Sequence, residues 1–331
     1  MDTDLLFLNR SDITALLSLP ECIEAMEMAF RMRAEGRSLA PALMHTDADG
    51  GEFHVKGGGL RLDRTWFALK ANGGFFHNQE RHGLPNILGL ILLFDGANGL
   101  PLAVMDSSDI TALRTGATTA LAARHLARAG SATVTICGCG RQGAIQLRAL
   151  LEVMPAIRRV QAWDRAPEAA EAFAARGAGR PGVEVVPVRD LAQAAHQSDI
   201  IITCTPSKAF FLSRDWVRPG AFIAAVGADS PDKQELEPAL TASARVVADI
   251  PEQCARVGEL HHAIAAGLMT VADLHGELGD VVAGKIPGRT AEDQVFVFDT
   301  TGSALQDTAA AVAVYRKALA TGAGLRLDPR K

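Results

Sequence analysis

The tract that most restricts what this chain can fold into is Gly138-Cys139-Gly140-Arg141-Gln142-Gly143, set directly after the apolar stretch Thr133–Cys137 and directly before a helical one. In that context a GxGxxG spacing marks the dinucleotide-binding turn of a Rossmann-type βαβ unit. Gly138 permits the tight turn, Gly140 lets a pyrophosphate approach the backbone, and Gly143 lets helix and sheet pack closely. The free N–H groups at the helix start face the phosphates. Arg141 and Gln142 lie at that start and count with the glycines as cofactor contacts. The next strand, Arg159–Trp163, runs into Asp164, 21 residues beyond Gly143. A carboxylate there accepts hydrogen bonds from both ribose hydroxyls of an adenosine and repels a 2′-phosphate, which favours NAD. Arg165 follows and suits a 2′-phosphate, so NADP stays possible. FAD uses the same fingerprint, but flavoproteins usually open with it, whereas here a domain's length of chain precedes it.

Downstream the pattern alternates. Strands at Thr133–Cys137, Arg159–Trp163, Val183–Val188 and Ile200–Cys204 are separated by helices from Gln142 to about Met154, at Pro167–Arg176 and at Leu191–His196. Further apolar strands follow at Ala221–Val226, Val246–Ala248 and Val295–Phe298. Such alternation predicts a parallel sheet covered on both faces, with ligands at the carboxyl ends of its strands. Upstream, Ser18-Leu-Pro-Glu21 has capping-box spacing, and Ile23, Met26 and Phe30 share one face of a helix that Gly36 ends. Short β-prone stretches then run at Phe53–Val55, Trp66–Lys70, Ile87–Phe94 and Leu102–Met105, with a hairpin-like turn at Asp95–Gly99, and predict a mixed or antiparallel sheet. An Ala-rich helix, Ser107–Arg128, carries the chain across, and a last helix, about Ala304–Ala320, returns. The fold class is therefore α/β: a Rossmann-type parallel-sheet domain at 119–304 and an outer α+β substrate-binding domain at 1–118 and 305–331. Two domains suit 331 residues.

Composition removes several classes. Acidic residues outnumber basic ones, 38 to 33, and no basic run is present to neutralise a row of phosphates, which disfavours nucleic acid as a partner. The five cysteines are scattered, without a CxxC pair, as in a protein kept reduced in the cytoplasm. Met1–Ser11 carries acids instead of a basic n-region. The longest apolar run, Ile87–Phe94, falls short of the roughly 20 residues of a membrane span. Neither secretion nor membrane insertion is expected.

Residue by residue, Val226-Gly227-Ala228-Asp229 ends a strand, so Asp229 projects from the sheet's carboxyl edge in position for acid–base work, with Lys233 within reach of it or of the cofactor. Thr203, Thr205 and Ser207 end another strand and offer hydroxyls near a ribose. Lys70 and Arg114 are cations amid apolar and small residues. A guanidinium suits bidentate capture of a carboxylate, and a lysine holds the same group or polarises an imine. His54 and Lys56 alternate with Phe53 and Val55 and so share one face, which by itself reads as a solvent face. His77 and His82 lie in a polar loop, His261 and His262 point apart on a helix, and no HExxH occurs, so no metal site is expected.

Taken together, Ala68-Leu-Lys-Ala-Asn-Gly-Gly, His82-Gly-Leu-Pro85, Pro101-Leu-Ala-Val-Met-Asp106, Leu113-Arg-Thr-Gly-Ala117, the glycine turn, Val226–Asp229 with Lys233-Gln-Glu-Leu236, and Phe298-Asp-Thr-Thr-Gly302 give the chain its resemblance to the ornithine cyclodeaminase and mu-crystallin family. That resemblance implies a homodimer paired through the sheets of the outer domains, with NAD(H) or NADP(H) between the two domains and hydride transfer at the α-carbon of an amino or imino acid. It gives Lys70 and Arg114 the roles of carboxylate- and imine-facing cations, Asp229 that of the acid–base residue, and places Thr300 and Thr301 in the cofactor-side turn. Two departures stand out. After the proline matched by Pro41, many members carry a cation where this chain has Ala42. Where cyclodeaminases place a carboxylate for the diamine, this chain has His54, followed by Lys56, which would replace the lost cation. The ranking that results is an NAD(P)-dependent imine reductase or amino acid dehydrogenase first, ornithine cyclodeaminase second, and, in a different class, a mu-crystallin-like binder of small ligands.

Overall fold

The computed structural model describes residues 4–75 and 77–328. Met1–Thr3, Phe76 and Pro329–Lys331, which the expected outer domain includes, lie outside the described residues. The chain divides into two compact units, one up to Arg114 and resuming at Ser303, the other Thr115–Gly302. The divisions fall at 114/115 and 302/303, not at 118/119 and 304/305. The first lies inside one unbroken helix, Ser108–Leu126, where no change of pattern marks it.

In the outer unit, β1 (Leu5–Leu8), β2 (Ser38–Ala48), β3 (Gly51–Arg61), β4 (Thr65–Gly74), β5 (Ile87–Asp95) and β6 (Pro101–Asp106) join the strand Leu325–Leu327 in a seven-stranded sheet. Starting from that last strand, the order is β1-β6-β5-β4-β3-β2. Every pairing is antiparallel except β1 with β6, so the sheet is mixed. The sequence reading passed over β2, an edge strand interrupted by Pro41 and exposed along most of its length, which leaves no alternating pattern to find. The helix Leu19–Ala34 begins on the reciprocal Ser18/Glu21 capping box read from sequence.

The helix Ala304–Thr321 lies against β3 and β4. Gly58 lets the two approach closely, since a Cβ would come to 3.0 Å from the Ala304 methyl, and Trp66 meets Tyr315 edge to face at 5.9 Å. Along β4 the residues alternate strictly: Trp66, Ala68, Lys70 and Asn72 are buried, while Phe67, Leu69, Ala71 and Gly73 turn away. His54 and Lys56 of β3 stand opposite Asn72 and Lys70 and are buried with them. The solvent-face reading of His54 and Lys56 is thus reversed. Alternation tells which residues share a face, but the helix Ala304–Thr321, far away in sequence, decides which face is covered. Conversely Met44, Phe53, Leu88 and Leu90, on the other face, are exposed.

In the second unit, β7 (Thr133–Cys137), β8 (Arg159–Trp163), β9 (Glu184–Pro187) and β10 (Ile200–Thr203) are followed by β11 (Lys208–Leu212), β12 (Phe222–Ala225), β13 (Gln234–Leu236), β14 (Arg245–Ala248), β15 (Gly276–Glu277) and β16 (Phe296–Asp299). Eight of these form a parallel sheet in the order β15-β14-β16-β12-β10-β7-β8-β9, and β11 and β13 pair separately. The strands are buried on both faces, as the runs Ile200–Ile202 and Phe296–Phe298 require. Strand order reverses at β7, which has β8 on one side and β10 on the other, so the crevice of a doubly wound sheet opens beyond the ends of β7, β8 and β10. Among the described residues no helix is long and apolar enough to cross a membrane.

Candidate functional site

The turn after β7 is built for close approach of a ligand to its backbone. Gly138 has φ +106°, a left-handed conformation, and a Cβ on it would come within 2.8 Å of the Cys204 carbonyl oxygen. A Cβ on Gly143 would sit 2.1 Å from the Gly138 carbonyl oxygen, so the first turn of the helix Arg141–Val153 packs directly on the strand end. Gly140 caps that helix with no side-chain bond to its N–H groups, and a Cβ there would meet nothing within 4 Å. Uncapped donors beside open space fit a dinucleotide pyrophosphate.

Asp164 ends β8 beside this turn. One carboxylate oxygen accepts from the Cys139 N–H at 2.8 Å and the other from the Ala166 N–H at 3.0 Å. A carboxylate has about four lone-pair sites, so these two bonds fix its direction and leave room for ribose hydroxyls. Arg165 is exposed next to it.

The turns after β10 and β12 are tied together by a residue the sequence reading overlooked. Glu235 of β13, fully buried, accepts from the Thr205 N–H (2.6 Å), the Thr205 hydroxyl (2.7 Å) and the Gly227 N–H (2.9 Å). Burial pushes its carboxyl above the ordinary range, against the hydrogen bonds from Thr203, Thr205 and Gly227. Any side chain on Gly227 would strike the Thr205 carbonyl oxygen at 2.3 Å. Ser207 donates its N–H to the Thr205 hydroxyl and its own hydroxyl to the Ala209 carbonyl. Beyond Val226, Asp229 is half-buried and pairs with Lys233 at 2.8 Å, while His262 donates to the Lys233 carbonyl at 2.7 Å. That bond holds the His262 ring edge-on to His261, 5.1 Å away, so the two histidines meet rather than diverge.

After β16, Thr300 donates its hydroxyl to Asp249 (2.8 Å), the Gly302 N–H bonds the same carboxylate, and Gln253 donates to the Thr301 hydroxyl at 2.8 Å. The Asp299 carboxylate accepts from the Glu259 and Leu260 N–H groups, and burial, reinforced by Asp249, pushes its pKa up to about 7. Asp249, Gln253 and Asp299 also escaped the sequence reading. Asp249 and Asp299 carry one signal, an acid at the end of an apolar strand, whereas Gln253 lies in the helix Pro251–Val257 with no such mark.

In the outer unit, Lys70, Arg114 and Asp307 form a buried cluster. Lys70 Nζ lies 2.9 and 2.8 Å from the two Asp307 oxygens, Arg114 Nε lies 3.2 Å from Asp307, and Arg114 Nη1 donates to Gln306 at 2.6 Å. Burial pushes the Lys70 pKa down to about 7. Asp307 pulls it back up, and Arg114 and Lys56 push it further down. Burial alone would raise the Asp307 carboxyl, but Lys70 and Arg114 outweigh it and hold the group below its ordinary value. Asp307 and Gln306 were not foreseen. Lys56 sits directly across from Lys70, and Asn72, opposite His54, accepts from the Ser107 hydroxyl at 2.6 Å.

The β2–β3 register also stacks His45 on His54, ring centroids 4.6 Å apart, with Glu52 at 3.2 Å from His54 and 3.4 Å from His45. Ligand atoms of these three residues lie within 4.8 Å of one another, a grouping no reading of the histidines from sequence had assembled.

The profile of the ornithine cyclodeaminase/mu-crystallin family matches residues 3–322. The chain belongs to this family. It is 35% identical over 323 residues to the alanine dehydrogenase of Archaeoglobus fulgidus, covering 97% of this chain and 98% of that one. To the iminosuccinate reductase of Paracoccus denitrificans it is 35% identical over 331 residues, 98% of this chain and 100% of the relative. The structure of Thermococcus litoralis Delta(1)-pyrroline-2-carboxylate reductase in complex with NADH and L-proline superposes with a TM-score of 0.92 at 31% identity, covering 98% of this chain and 100% of that one. Within the family's frame, Ala42 pairs with Gly57 while Leu43 stands opposite Lys56. Ala42 is therefore out of phase with Lys56 and belongs to the outward-facing row.

Proposed function

We propose that the protein reduces an α-imino acid to the amino acid at the expense of NADH, with Lys70 and Arg114 holding the substrate carboxylate and Lys70 and Asp229 handling protons. The chain is an NAD-dependent oxidoreductase acting at the α-carbon of an amino or imino acid. The observation that carries the residue assignment is the buried cluster of Lys70, Arg114 and Asp307, in which Asp307 and Gln306 hold two cations in fixed positions out of water.

Asp307 and Gln306 fix the plane of Arg114, which orients a fork of N–H donors for a carboxylate before the substrate arrives. Lys70, with a pKa near neutrality, gives a proton to the imine nitrogen in reduction and takes it back in oxidation. Asp229, positioned by Lys233, is the second proton-handling group. The glycine turn and Asp164 hold NAD(H), which when bound supplies the hydride for the α-carbon or accepts it in the reverse direction.

The apolar face of the outer sheet supports a homodimer. Met44, Phe53, Leu88 and Leu90 stand exposed on the side that also carries Phe67, Leu69, Leu92 and Phe94, where an antiparallel sheet facing water would be polar. A second copy presenting the same face covers it. The five thiols, all free, suit a reducing cytoplasm.

The test is NADH consumption with 2-oxo acids plus ammonia or amines, and with cyclic imines. Turnover with net NADH loss supports reduction. Ornithine converted to proline without net NADH change would move the assignment to cyclodeaminase, and cofactor binding without any turnover would move it to a small-ligand binder.

A further inference from the structure

A set of side chains outside the Lys70 cluster converges at the tip of the hairpin that β2 and β3 form. The two strands are joined by the tight turn Asp49-Gly50, in which Gly50 takes φ +82°. That turn fixes a register in which His45 stands opposite His54 and Asp47 opposite Glu52. Strand residues two apart share a face, so the four side chains make two successive rungs on one face of the hairpin. The two imidazoles stack, with centroids 4.6 Å apart, and both offer Nε2 to the Glu52 carboxylate. His54 Nε2 lies 3.2 Å from Glu52 Oε1, and His45 Nε2 lies 3.4 Å from Glu52 Oε2. Asp47 Oδ1 lies 3.3 Å from the same His45 nitrogen.

We propose that His45, Glu52 and His54 bind a divalent transition ion of the Zn²⁺ class, with Asp47 as a fourth ligand drawn in from solvent. Ligand atoms about 2.1 Å from a tetrahedral ion stand about 3.4 Å from one another. The three separations match that edge, and the ligand atoms of His45, Glu52 and His54 all lie within 4.8 Å of each other. The residue types select the ion: imidazole with carboxylate suits Zn²⁺, whereas Mg²⁺ and Ca²⁺ take oxygen ligands. Burial is graded across the set. The side chains of His54 and Glu52 are 11% and 16% exposed, that of His45 30% and that of Asp47 95%. Two ligands thus stand in a fixed wall while the others face water, which gives the ion an entry path. Two carboxylates match the two charges of the ion, so Lys56, two residues beyond His54 on the same face, meets no added net charge. The ion clamps the tip of the edge strand β2, which Pro41 interrupts, onto β3.

The experiment titrates the full chain, freed of metal with EDTA, with Zn²⁺ by calorimetry in slightly alkaline buffer, since metal ligands must be deprotonated. Saturable binding of an ion with a Kd of about micromolar or tighter is expected, together with a rise in Tm that Mg²⁺ does not reproduce. His45→Gln is expected to weaken binding by about tenfold or more, at least what disturbing a metal's supporting shell costs. NADH affinity reports that the fold of this variant is intact. Co²⁺ in place of Zn²⁺ is expected to give the visible bands of a tetrahedral site without the near-ultraviolet charge-transfer band of a thiolate ligand, which separates the hairpin from the free cysteines. Absence of saturable binding, Zn²⁺ affinity unchanged in His45→Gln, or a thiolate band accompanying the bound Co²⁺ each overturns the proposal. Should His45→Gln not fold, the nearly isosteric Glu52→Gln takes its place: the same weakening supports the site, and unchanged affinity overturns it.

Discussion

In the parallel sheet the candidate functional residues lie in turns beyond the carboxyl ends of the strands, whereas in the outer sheet they lie within the strands and on the face that packs inward. The two arrangements are held by different forces. The turns after β10 and β12 are fixed by Glu235 and the turn after β16 by Asp249, buried acids that accept backbone N–H groups, while Asp299 at the end of β16 holds the N–H groups of Glu259 and Leu260. Such sites survive loss of a side chain at the turn itself, because the backbone is what is held. The outer cluster instead consists of charges balancing charges: Lys70, Lys56 and Arg114 around Asp307. Removing one member there leaves the others buried and unmatched, so the outer site is the more fragile of the two.

The largest effect should follow from that contrast. Asp307→Ala leaves two buried cations without their carboxylate, and unfolding by denaturant should show a loss of about 3–5 kcal/mol, the cost of breaking a buried ion pair by removing one partner. A loss under about 1 kcal/mol would mean that water reaches the cluster. Asp229→Asn, in the half-buried turn after β12, should by contrast keep stability and NADH affinity yet lower turnover by about 10²-fold or more, the scale of general acid–base catalysis. Near-normal turnover would remove Asp229 from proton transfer and leave Lys70 alone in that role.

These two variants also mark how far the sequence could be read. Asp229, Asp164 and the glycines were legible because each belongs to a short tract whose strand, turn and helix context is local. Asp307 was not, because its partner Lys70 is 237 residues away and nothing in the Ala-rich helix signals it except a lone acid among small apolar residues. His54 and Lys56 could be placed on one face, but the apolar Phe53 and Val55 between them pointed to the wrong side as the core. The outer face is itself apolar, and alternation cannot rank two apolar-looking faces without knowing what covers each. Glu235 lay unnoticed inside the quoted tract Lys233–Leu236, since its role appears only when β13 is brought beside the turns after β10 and β12.

Lys70 gives a prediction with a sign. Its protonated form donates in reduction, so with a pKa near 7 the reductive kcat should fall as pH rises through about 7, and the oxidative rate should rise over the same interval. Lys70→Arg, whose guanidinium keeps its proton and cannot hand it over, should lower the reductive kcat and leave no limb near neutrality in the profile of the residual activity. Persistence of the limb in the arginine variant would assign it to another group.

The smallest expected effect lies in the parallel sheet. Asp164→Ala should shift the ratio of NADH to NADPH affinity towards NADPH by about tenfold, because a carboxylate that accepts from ribose hydroxyls and repels a 2′-phosphate is gone while Arg165 remains. Titration of both cofactors by fluorescence measures it, and an unchanged ratio would take the choice of cofactor away from Asp164.

The claim that hydride is delivered to the α-carbon of an imino acid is tested most directly by the fate of a label. NADH carrying deuterium at C4 of the nicotinamide, incubated with the protein, oxaloacetate and ammonia, or with a cyclic imine if that is the better substrate, should yield an amino acid deuterated at Cα in proportion to the NADH oxidised, as read by NMR. An amino acid product without deuterium at Cα, or NADH left unoxidised with every imine tried, would contradict it.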